Sequence, residues 1–212
     1  MHLFKHRAAL FFIFCLLAGF LSTYFLLQPD ISQQRSPQQK GAVIVQVDDI
    51  TAAKPRVQAI WILRVNFNEP GALWLLPLYQ TNHSTPESEA LAKSFALRHD
   101  GSPAYSFTRQ LSLQEISWQH YLILDNTARQ ELLHFLAPGA DAGDETILFQ
   151  SICQQLRLGS DIQEQTAAWQ AAAHHLHSDL TLIDLQTAWQ RLNQSRRPIC
   201  KDTSAFAATS LR

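Results

Sequence analysis

Charge is what this 212-residue sequence has least of. Asp, Glu, Lys and Arg make up 17% of it, and 17 basic residues against 18 acidic ones leave a formal net charge of −1. A chain without cationic excess has no global attraction for a polyanion, so nucleic acid is not an expected partner. The seven glycines form no phosphate-cradling loop: no Walker or dinucleotide-binding motif appears, and no Ser-His-Asp signature. No internal repeat is present. Neutral amide stands in for the missing charge, with 21 glutamines. Hydrophobic content of 46%, with five Trp and twelve Phe, excludes a disordered chain.

Residues 8–27 (AALFFIFCLLAGFLSTYFLL) carry no charged side chain. At 1.5 Å per residue this run makes roughly 30 Å of helix, the hydrocarbon thickness of a bilayer. Lys5, His6 and Arg7 precede it, so residues 1–7 are expected in the cytoplasm and the rest outside it. A cleaved signal peptide would have a shorter apolar region, about 7–15 residues, and a small-x-small exit; here Tyr24 and Phe25 occupy the exit. The expected order is a cytoplasmic tail at 1–7, a transmembrane helix at 8–27 that meets membrane lipid, and a linker at 28–41. An extracytoplasmic domain at 42–200 and a flexible tail at 201–212 follow. Roughly 170 residues suffice for one domain with a two- or three-layer core. An exported domain permits a disulfide between Cys153 and Cys200, but their spacing carries no pattern that requires one.

Within the domain, 42–47 (AVIVQV), 58–65 (QAIWILRV) and 72–78 (ALWLLPL) read as strands, the last two joined by turn residues at 66–71. Thr85, Pro86 and two early glutamates start a helix. Residues 118–124 read as a strand and 126–136 as a helix capped by Asn126. Helices follow at 144–156 and 161–176, then a brief strand at 178–182 and an amphipathic helix at 182–192. The pattern predicts an α/β (α+β) domain, a mixed β-sheet layered with helices.

The order of these segments resembles the LytR–CpsA–Psr family, membrane-anchored envelope proteins of bacteria. Val47-Asp48 matches the end of that family's Gly-Val-Asp strand, and Arg56 matches its Arg-x-Asp. Residues 76–81 (LPLYQT) stand where it has Ser-Ile-Pro-Arg-Asp. Residues 147–156 (ILFQSICQQL) resemble its Asp-x-x-Arg-x-x-Arg-Gln-Gln helix, and 177–192 (HSDLTLIDLQTAWQRL) resemble its closing segment. The resemblance implies the family fold and a ligand of the family's class. Members transfer a glycan from a polyprenyl pyrophosphate to a wall acceptor, and their arginines bind the pyrophosphate through bidentate guanidinium forks.

Here the charges of those motifs are gone. Gln80 and Thr81 replace the Arg-Asp pair, Gln58 the aspartate of Arg-x-Asp, and Ile147, Gln150 and Cys153 the acid and two arginines of the helix. Each charged hydrogen bond lost removes about 1.5–3 kcal/mol. The resemblance therefore implies a catalytically degenerate binding or scaffold module. Its expected ligand-binding positions are Asp48, Arg56, Gln80, Gln150 and Cys153, with no catalytic residue, cofactor or metal assigned. A polyprenyl-linked lipid, a glycan or an envelope protein is the expected partner. A glycopolymer phosphotransferase and a tethered domain of unrelated fold are the alternatives. His174 and His177 share a helix face and could ligate zinc with His134 or Asp179, but histidines near a helix C-terminus are favoured by the dipole without any metal.

A reporter fused after Arg212 should be active only outside the cytoplasm, with the native N-terminus retained on the mature chain. A soluble form beginning near residue 28 would identify a cleaved signal instead.

Overall fold

Successive residues of an extended chain face opposite sides of a sheet. In the first strand, β1 (Gln39–Val47), both sides are largely apolar. Val43, Val45 and Val47 are fully buried on one side, while Ala42, Ile44 and Gln46 take the other. Such a strand belongs in the middle of a sheet covered on both faces. β1 pairs antiparallel with β2 (Val57–Asn66) and parallel with β4 (His120–Leu124). Beyond β2 lies β3 (Ala72–Gln80), antiparallel to it, so the hairpin expected from the turn at 66–71 is present. Two short strands, β5 (Leu176–Ser178) and β6 (Ile199–Asp202), close the edges, giving the order β5-β4-β1-β2-β3-β6.

This computed structural model describes residues 39–202, apart from 69–70, 83, 139–146, 160–161 and 195–197. They belong to a compact unit spanning Pro37–Arg212. The expected transmembrane helix at 8–27 and most of the linker and tail fall outside the described residues. No helix among the described residues is long and apolar enough to cross a membrane.

The valine face of the sheet is covered by α1 (Pro86–Ser94) and α2 (Tyr105–Leu113). Thr85 caps α1 reciprocally with Ser88, as the Thr-Pro start suggested. Leu91, Phe95, Phe107 and Leu111 pack on Val43, Val45 and Ile60, and the rings of Phe95 and Phe107 meet edge to face at 5.2 Å. The opposite face carries α3 (Asn126–Leu136), α4 (Ile147–Leu158), α5 (Ile162–Ala172) and α6 (Leu182–Gln194). Trp61, Leu73 and Leu75 of the sheet meet Phe149 and Leu156 of α4 and Leu192 of α6. Leu124 meets Ala128, Leu132 and Ala168 of α3 and α5. The result is helix, mixed sheet, helix: three layers.

Several boundaries differ from expectation. β1 begins at Gln39 rather than 42, within the stretch read as linker, and β6 takes Lys201 and Asp202 from the stretch read as tail. Asp125, not Asn126, caps α3: its backbone is extended, its carboxylate accepts the Ala128 N–H, and Asn126 is already helical. α2 escaped the sequence reading because Ala104, at its N-cap, offers no capping side chain.

Cys153 of α4 and Cys200 of β6 form a disulfide across a separation of 47 residues. It pins an edge strand of four residues to the helical layer. Closing a loop of that length should stabilise the fold by about 4 kcal/mol. Reduction, or Cys153→Ala with Cys200→Ala, should remove that amount in urea unfolding, and a loss below about 1 kcal/mol would exclude the staple.

Candidate functional site

Under the β1–β2 half of the sheet, on the α3–α5 side, the packing leaves an apolar cavity of about 70 Å³. Ile44, Leu63 and Leu122 form its floor, and Phe149, Ile152 and Trp169 close it from the helices. Three polar side chains reach its lining: Gln46, Trp61 and Arg129. Gln46 is 3% exposed and Arg129 is 8% exposed. The Trp61 indole N–H is buried without an acceptor among the described residues. A buried donor left this way is uncommon and marks a place where a ligand or water supplies the missing acceptor.

Gln46 stands at the carboxyl end of β1, where layered α/β sheets bind their ligands. Its amide donates to Gln58 Oε1 at 2.8 Å and to Asn126 Oδ1 at 3.1 Å. The Gln58 backbone carbonyl accepts from the Thr81 hydroxyl at 2.8 Å and the Thr81 N–H at 3.2 Å. Neutral groups thus tie together the ends of β1, β2 and β3 and the start of α3. Next to them, Asp125 is 2% exposed and receives His175 Nδ1 at 2.8 Å. That bond joins the 3-10 turn at Ala173–His175 to the cap of α3.

The histidines diverge. His174 is exposed, His175 holds Asp125, and the His177 ring lies against Gly101. Gly101 has φ +77°, and a Cβ there would sit 2.9 Å from His177 Nδ1, so both backbone and space require glycine. Among the described residues no group of three His, Cys, Asp or Glu could hold a metal.

The expected ligand positions do not gather in one place. Asp48 is exposed and organises the β1–β2 loop, its carboxylate accepting the backbone N–H of Asp49 at 2.8 Å and of Arg56 at 2.7 Å. Arg56, also exposed, lines a separate cleft beside α1, across the sheet from the cavity. Gln80 ends β3, half-buried and in register with Ala59. On α4, Gln150 is exposed, whereas Cys153 is buried in its disulfide. The sequence reading missed Gln46, Trp61 and Arg129. The available signal was an arginine on the face of α3 that also carries Ala128, Leu132 and Leu136.

Asp49 shows the local electrostatics. The Thr51 hydroxyl and then its N–H, bonding to the carboxylate, hold the Asp49 pKa below the ordinary 3.8, with a smaller contribution from His175. Because the folded value is depressed, this turn contributes fully above pH 3.8 and is lost only as pH falls through the lowered value.

No family model matches the sequence, and no curated protein matches it either. Solved structures do match in shape. The crystal structure of Bacillus subtilis TagV, a LytR–CpsA–Psr protein, aligns over 79% of this chain and 85% of its own with a TM-score of 0.52 and 8% identity. Protein gbs0355 from Streptococcus agalactiae aligns over 78% and 76%, with a TM-score of 0.52 and 7% identity. The fold is therefore LytR–CpsA–Psr-like, as the segment order implied, and an unrelated fold is set aside.

Asp125→Ala should cost about 1–2 kcal/mol in urea unfolding through the lost cap. Asp125→Asn, which keeps an acceptor, should cost less. Equal losses would place the energetic weight on the His175 pair instead.

Proposed function

We propose that the chain is a catalytically degenerate relative of the LytR–CpsA–Psr proteins. In this reading the segment at 8–27 anchors it in the bacterial cytoplasmic membrane, and its domain stands outside, binding or scaffolding rather than transferring. The observation that carries the reading is the neutral amide cluster at the carboxyl end of β1, Gln46 with Gln58 and Asn126. Amides can hydrogen-bond a pyrophosphate but cannot neutralise it, and burying an unpaired anion is prohibitive.

Size points the same way. About 70 Å³ is half the roughly 150 Å³ of an apolar cavity that admits benzene, and far below the roughly 300–1,000 Å³ of ordinary ligand sites. A polyprenyl chain would enter only if the helices lifted from the sheet. The Cys153–Cys200 disulfide supports an oxidising, extracytoplasmic setting. A lipid-linked or free glycan, or another envelope protein, is the partner class this reading carries.

The alternative, a phosphotransferase that attaches glycopolymers to the envelope, is favoured by one observation: a buried guanidinium, Arg129, in the cavity lining. One experiment separates the two. Full-length chain given a polyprenyl-pyrophosphate-linked glycan donor and a wall-glycan acceptor should release no polyprenyl monophosphate above background. Turnover by the native chain that disappears in Arg129→Gln would establish the enzyme and overturn the degenerate reading.

A further inference from the structure

On the α1 side of the sheet, away from the amide cluster, the β1–β2 loop and α1 enclose a cleft of about 630 Å³. That volume lies within the roughly 300–1,000 Å³ of small-molecule sites. Its apolar wall is the margin of the first core: the half-buried Val57, Tyr79 and Leu97, with the buried Phe95 also in the lining. Its charged lining is Lys54, Arg56 and Lys93 with one acid, Glu89, a local excess of two positive charges in a chain of net −1.

Lys93 has its charge engaged, to Glu89 at 3.0 Å. Among the described residues the side chains of Lys54 and Arg56 make no hydrogen bond or ion pair. The loop that presents them is nevertheless built. Asp48 accepts the Arg56 N–H at 2.7 Å, its own N–H bonds the Arg56 carbonyl at 3.0 Å, and Pro55 restricts the backbone between the two cations. Two unengaged cations on a clamped loop over an apolar wall are a receptor for an anion carrying an organic body.

We propose that this cleft binds an organic phosphomonoester. The phosphate, of charge about −1.5 to −2 at pH 7, matches the local excess. Arg56 grips it in bidentate fashion, Lys54 adds a point charge, and the organic body lies over Tyr79, Phe95 and Leu97. Two sources present this chemistry, a soluble phosphomonoester and the headgroup of a monoester phospholipid. The site is independent of the cavity on the other face, so it stands or falls separately from the degenerate reading.

The test is calorimetric titration of the full-length chain, in detergent where purification requires it, with phenyl phosphate and with dihexanoyl phosphatidic acid below its micelle concentration. One saturable site is expected, weakened by salt. Arg56→Gln and Lys54→Gln should each weaken it about tenfold or more, and Lys93→Gln less, because Glu89 already shares its charge. Tighter binding of the phosphatidic acid identifies a lipid headgroup; equal or tighter binding of phenyl phosphate identifies a soluble ligand. Absence of saturation by both probes overturns the proposal. So does unchanged binding by the Arg56→Gln, Lys54→Gln double variant with a native melting curve.

Discussion

The structure depends on one strand that has no solvent face. β1 places three fully buried valines on one side and Ile44 and Gln46 on the other, so a single helical layer could not satisfy it. At about 25 cal/mol per Å² of apolar surface removed from water, leaving either side open would forfeit several kcal/mol. α1 and α2 meet the first requirement, and α3 to α6 meet the second. The third layer brings Arg129 and Asp125 to the carboxyl end of β1, and the first brings Lys93 to the loop that follows it. Both candidate sites are consequences of covering that strand twice.

The amide cluster shows how neutral groups fill the carboxyl end of β1. A carboxylate in place of Gln58 would face Gln46, buried to 3% exposure, and would need a cation beside it. Glutamine is neutral: its Oε1 accepts the Gln46 amide, which also donates to Asn126 Oδ1, while Thr81 bonds the Gln58 backbone carbonyl. Cys153 forms a covalent tie, because the side of α4 that carries it faces the core rather than solvent. These positions hold the layers together whether or not a ligand is bound.

Legibility followed periodicity. Strands β1 to β3 and the start of α1 could be read because apolar runs, turn residues and a Thr-Pro helix start act over a few neighbouring residues. α2 was missed for want of a cap, and β6 because its pairing partner, β3, lies more than a hundred residues earlier. Arg129 was not singled out in the sequence. Its burial is settled by Leu148, Phe149 and Trp169, which come from two other helices.

By itself, then, the sequence determined the layered α/β class, the hairpin of β2 and β3, the family-like order of segments and the loss of charge at the motif positions. Each of these is a property of local pattern or residue identity. Only the tertiary structure decided that Cys153 and Cys200 meet, that Gln46 rather than Gln150 stands in the cavity lining, and that Arg56 faces a cleft on the opposite side of the sheet. Those outcomes depend on long-range pairing and on which side of the sheet each residue takes once both layers close over it; opposite Gln46 and Val47 the register shift leaves Gln58 as an extra residue of β2, so Val57 and Ile60 share a face.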